Sequence, residues 1–93
     1  MNELKQTIIK ALEAYQKRIK CNNCSYVQTV RAATVRQCAE VIKAHEIPVA
    51  KAKLNAMFKA RNDSHDPTKQ TEKQQIGAVL RLIDEAEKRN ANA

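Results

Sequence analysis

Ninety-three residues are enough for one domain and too few for two, so residues 1–93 are read as a single domain. Seventeen Lys and Arg stand against ten Asp and Glu, a net charge of +7 that favours a polyanionic partner. The apolar fraction of 43% argues against a disordered chain, and no apolar run approaches the roughly 20 residues that cross a bilayer.

Residues 1–12 are amphipathic and do not read as a signal peptide. With an odd cysteine count, that points to the cytoplasm, where thiols stay reduced. One Gly and two Pro among abundant Ala, Lys, Gln and Glu favour helices. The first helix is expected over about 2–20, with Leu4, Ile8, Leu12, Tyr15 and Ile19 at steps of three and four on one face. Cys21-Asn22-Asn23-Cys24 breaks that pattern, and Ser25 with Gln28 matches a capping box for a second helix over 26–45. One unbroken helix is preferred there, because Val27, Val30, Thr34, Cys38, Val41, Ile42 and His45 share a face over its whole length. The break His45-Glu46-Ile47-Pro48 leads into a third helix over 48–61, with Pro48 suited to its first turn.

The third helix carries Leu54, Met57 and Phe58 on one side, and Asn62 to Pro67 form the clearest loop. Asp66 before Pro67, or Thr71 with Gln74, would cap a fourth helix over 68–89 whose apolar face is Ile76, Val79, Leu80, Ile83 and Ala86. The final residues, Asn90-Ala91-Asn92-Ala93, are expected to fray. No alternating strand pattern occurs. The fold class is therefore all-α: a compact bundle of four helices, with a helix-turn-helix-like pair formed by the second and third and no β wing.

Charge singles out that pair. Residues 47–62 hold four basic side chains and no acidic one, whereas residues 63–93 hold five basic and six acidic. With Leu54 in the core, Ala52, Ala56 and Ala60 form an outward stripe, flanked by Lys53 on one side and by Asn55 and Lys59 on the other. Small side chains let a helix approach a surface closely, and the flanking cations and amide would reach phosphates or base edges. The candidate nucleic-acid contacts are Lys51, Lys53, Asn55 and Lys59, supported by Arg36 and Lys43 on the exposed side of the second helix. The segment IPVAKAKLNAMF resembles in cadence the turn of small bacterial and phage helix-turn-helix regulators, without matching a family motif.

Other chemistry is weaker. Cys21-x-x-Cys24 with Cys38 and His45 offers four potential ligands for zinc, but Cys38 and His45 stand seven residues apart, about 10 Å along one helix. Cys38 is read as a small core residue, and no metal or cofactor is expected. Arg31 is read at the edge of the apolar face with its charge in water, and Gly77 as either a close crossing or a tolerated break in propensity. No phosphate loop, HExxH or apolar carboxylate pair occurs, so no catalytic residues are assigned and the chain is not read as an enzyme. The leading expectation is a double-stranded DNA-binding protein, a transcriptional regulator in type, acting as a homodimer. The rival is a helical protein-binding module, such as a phage-type inhibitor or adaptor, whose basic face meets an acidic or nucleic-acid-binding partner. Two Tyr and one Phe give little platform for single-stranded RNA.

Overall fold

Four α-helices follow one another along the chain: α1 (Glu3–Ile19), α2 (Tyr26–Ala44), α3 (Ile47–Ala60) and α4 (Pro67–Asn92). The computed structural model describes residues 3–19 and 26–92, and no β-strand occurs among them. Cys21, Cys24 and the expected Ser25 cap lie outside the described residues.

The apolar spacing of α1 puts Ile8, Leu12 and Ile19 in the core, with Leu4 and Tyr15 packed partly against it. α2 is continuous, and its buried face is wider than one stripe: Val30, Thr34, Val35, Cys38, Ala39 and Ile42. The width follows from its neighbours, because α1, α3 and α4 all pack against α2. Val35 and Ala39 thus join the core, while Val27, expected on the buried face, is 43% exposed in the first turn. The one hydroxyl in this face is satisfied locally, Thr34 Oγ1 donating to the Val30 carbonyl at 2.8 Å.

The α2–α3 break is made by Glu46, extended at φ −65° and ψ 154°, whose carbonyl accepts the Ala50 amide at 2.8 Å. Pro48 lies in the first turn of α3, where its missing amide leaves nothing unpaired. At the far end the Arg61 guanidinium donates to the Met57 carbonyl at 2.9 Å and to Glu72 at 3.0 Å. It thereby satisfies a carbonyl orphaned by the helix end and ties that end to α4. α4 opens on the Asp66 cap: Asp66 Oδ1 accepts the Thr68 amide at 2.9 Å. It continues to Asn92 rather than ending near residue 89. The Glu-Ala-Glu-Lys-Arg composition favours helix and no Gly or Pro intervenes.

α4 packs against α1, α2 and α3, so α2 and α4 form the centre and α1 and α3 flank them. Ile76, Val79 and Ile83 of α4 complete the core. Gln75 is only 4% exposed, and its Nε2 donates to Tyr15 Oη at 2.7 Å, linking α1 to α4. The radius of gyration, 13.4 Å, is that of a compact chain. No helix among the described residues is long and apolar enough to cross a membrane.

Candidate nucleic-acid interface

The outward side of α3 begins from its inward one. Ile47, Ala50 and Leu54 are buried, and at about 100° per residue the opposite side must carry Ala52, Ala56 and their neighbours. Ala52, Lys53, Asn55, Ala56, Lys59 and Ala60 are all exposed. Neither Lys53 nor Lys59 enters an ion pair among the described residues. The helix presents a low central strip of methyl groups edged by an amide and two ammonium groups, with no carboxylate of its own.

The six residues singled out from the sequence do not share one surface. Lys53, Asn55 and Lys59 lie on that α3 face. Lys51 differs: it is only partly exposed and turned to α4, its Nζ 2.7 Å from Glu87 and 3.2 Å from Asp84. Hydrogen bonds to Glu87, then to Asp84, hold its ammonium above the ordinary lysine range. Three positions separate Lys51 from Leu54, so both point into the same side of the helix. Arg36 borders a groove between α1 and α2 shared with Lys17 and Glu13. It is two positions, about 200°, round the helix from buried Cys38. Lys43 is exposed near the end of α2, where its carbonyl accepts from Lys5 Nζ at 3.1 Å. That places a second cation at the negative end of the helix dipole.

Two further cations stand beside Asn55. A groove of about 580 Å³ between α3 and α4 is bordered by Asn55 and Phe58 from α3 and by Lys73, Gln74, Gly77 and Arg81 from α4. Lys73 Nζ lies 5.3 Å from the centre of the Phe58 ring, within cation–π reach. A Cβ on Gly77 would meet Phe58 Cε2 at 3.2 Å, so Gly77 is the close-crossing residue that lets the ring lie against α4. Sequence reading passed over Lys73 and Arg81. Their spacing, with Gly77, at successive four-residue steps was the available sign that all three share one stripe of α4.

Cys38 and Arg31 lie in and beside the core face of α2. Burial pushes the Cys38 thiol up to about 11, so it stays protonated and unreactive at neutral pH. Arg31 is half-buried and donates to Gln28 Oε1 at 3.1 Å, at the edge of the α2 core face. Among the described residues no group of three His, Cys, Asp or Glu side chains could hold a metal ion. Compared with known proteins, the chain matches no family model, no curated protein and no solved structure.

Proposed function

We propose that this chain binds double-stranded DNA through α3, with α2 and α3 acting as a helix-turn-helix-like pair in a four-helix bundle. One observation carries the reading: the whole outward side of α3 is exposed, alanine-lined and free of carboxylates, with Lys53, Asn55 and Lys59 along its edges. An alanine strip admits the helix into a major groove about 12 Å wide, and Asn55 would then reach base edges, where Asn pairs with adenine. Lys53 and Lys59 would meet phosphates on either side, giving affinity that is largely independent of sequence. Lys51 is left out of the contact set because two carboxylates already occupy it. Arg36 and Lys43 would act at longer range, through the field of the +7 chain rather than through contact. The reading is that of a cytoplasmic regulator, and a homodimer would place two α3 helices at half-sites about 34 Å apart.

The test is fluorescence anisotropy with a random-sequence duplex at about 50 and 200 mM salt. Affinity should fall by orders of magnitude between the two. The double variant Lys53→Glu, Lys59→Glu should abolish binding while retaining helical circular dichroism; undiminished affinity in that variant would overturn the assignment. A second reading has its own support. Val49, 46% exposed beside the alanine strip, is an apolar contact of the kind a partner helix buries. Absence of binding at low salt would turn the α3 face into a protein-contact surface.

A further inference from the structure

We propose that the groove between α3 and α4 is the seat of one sugar-phosphate strand, with Lys73 and Arg81 as its phosphate contacts and Gln74 as a hydrogen-bond donor. The proposal deepens the DNA reading and rests on it. It adds a second element, α4, to an interface that the sequence assigned to α2 and α3.

Charge complementarity selects the occupant. The groove is bordered by Lys73 and Arg81, by the amides of Asn55, Gln70 and Gln74, and by no carboxylate. The groove between α1 and α2 includes Glu13 on its border, and the one between α1 and α4 includes Glu85. α4 does carry acidic side chains close by, and cations of α3 and its C-cap pair with three of them. Arg61 takes Glu72 at one end, and Lys51 takes Asp84 and Glu87 at the other. Neither Lys73 nor Arg81 enters an ion pair among the described residues. Arg61 thus cancels Glu72, Lys51 offsets one of the two charges of Asp84 and Glu87, and with Lys73 and Arg81 these side chains count four cations against three anions.

Shape agrees with charge. Lys73 and Arg81 are eight residues apart on one helix, so about 12 Å separates them along its axis. That is the rise of three to four nucleotides along one strand of a duplex. Phe58 lies half-buried between them, giving an apolar floor for sugar edges, and Gly77 keeps α4 low at that point. The Lys73 ammonium over the Phe58 ring is held at the groove. Asn55 belongs both to this groove and to the outward face of α3. A duplex meeting that face therefore has its flanking backbone directed towards α4.

The experiment measures the salt dependence of affinity for a random-sequence duplex between about 50 and 200 mM salt. It compares the intact chain with Lys73→Gln, Arg81→Gln and with the equally discharged control Lys10→Gln, Arg18→Gln, whose two side chains are exposed on α1. Loss of two phosphate contacts should lower the slope of log affinity against log salt by about two. The control should leave the slope as it is, and Arg81→Gln alone should lower it by about one. Circular dichroism confirms that each variant is folded. If both double variants change the slope equally, or neither does, the groove is not the seat of the strand. In that case loss of binding in Lys53→Glu, Lys59→Glu would still uphold α3 as the contact helix. Failure of the intact chain to bind at low salt overturns both readings, and retention by single-stranded RNA alone overturns the duplex as occupant.

Discussion

Cys38 shows how one core residue sets a pH dependence. Its side chain is fully buried on α2, where an unpaired thiolate would be desolvated, and its pKa rises from 9.0 to about 11. An unfolded chain would lose this proton near 9 and the folded one only near 11, so the unfolded state binds fewer protons between those values. Stability from this residue is therefore fully present below pH 9 and lost as pH rises to 11, by on the order of 3 kcal/mol. Denaturant melts across that range should show the decline, and Cys38→Ala should flatten it after an initial cost of about 1 kcal/mol. A parallel decline in the variant would assign the effect elsewhere. Gly77 poses a packing question of the same size. Alanine there gains up to about 1 kcal/mol of helix propensity but pushes its Cβ to 3.2 Å from the Phe58 ring. In a double-mutant cycle, Gly77→Ala should stabilise the chain more in a Phe58→Ala background than in the native one. Equal gains would mean that the ring moves aside without cost.

The helices themselves were largely legible, because each carries a 3.6-residue apolar period and the breaks hold Asn, Pro or Asp. What escaped was direction. α2 meets three other helices, so its buried arc broadened past the stripe read from its sequence and took in Val35 and Ala39. On α3 the face away from Leu54 could be read directly, but the flank meeting α4 could not, since that depends on a helix more than a turn of sequence away. The ion pairs of Lys51 with Asp84 and Glu87, and the groove that Lys73 and Arg81 border, were not legible for that reason. The same pairing yields a clean contrast. Lys51→Met removes the link from α3 to Asp84 and Glu87, which are partly exposed, so the loss should be no more than about 1 kcal/mol. Its effect on duplex affinity should be small beside that of Lys53→Glu, Lys59→Glu, and an equal loss would return Lys51 to the contact set. The start of α4 is more sensitive: Asp66→Ala removes the acceptor for the Thr68 amide and should cost about 1 kcal/mol in a urea melt.

At the scale of the molecule, the same imbalance that would attract DNA must strain the free chain. Seventeen cations and ten anions crowd a body 38 × 32 × 22 Å in extent, which is only a few Debye lengths across at about 0.1 M salt. Three ion pairs, Lys51 with Asp84 and Glu87 and Arg61 with Glu72, are the close ion-pair attractions among the described residues, and the two made by Lys51 are exposed enough to be worth little. Repulsion spread over the basic excess should outweigh them. Added salt screens both, but it relieves more repulsion than it removes attraction. The midpoint of thermal unfolding should therefore rise by a few degrees between about 50 and 200 mM salt, equivalent to less than about 1 kcal/mol. Over the same interval duplex affinity should fall by orders of magnitude. Saturating duplex at low salt should raise the midpoint further, since a partner that binds only the folded chain stabilises it in proportion to the logarithm of its concentration over Kd. That increment should vanish at high salt as the free chain grows more stable. A free-chain midpoint that instead falls with salt would mean that the ion pairs between α3 and α4 outweigh the net charge, and that the basic face is better compensated than its lysines and arginines imply.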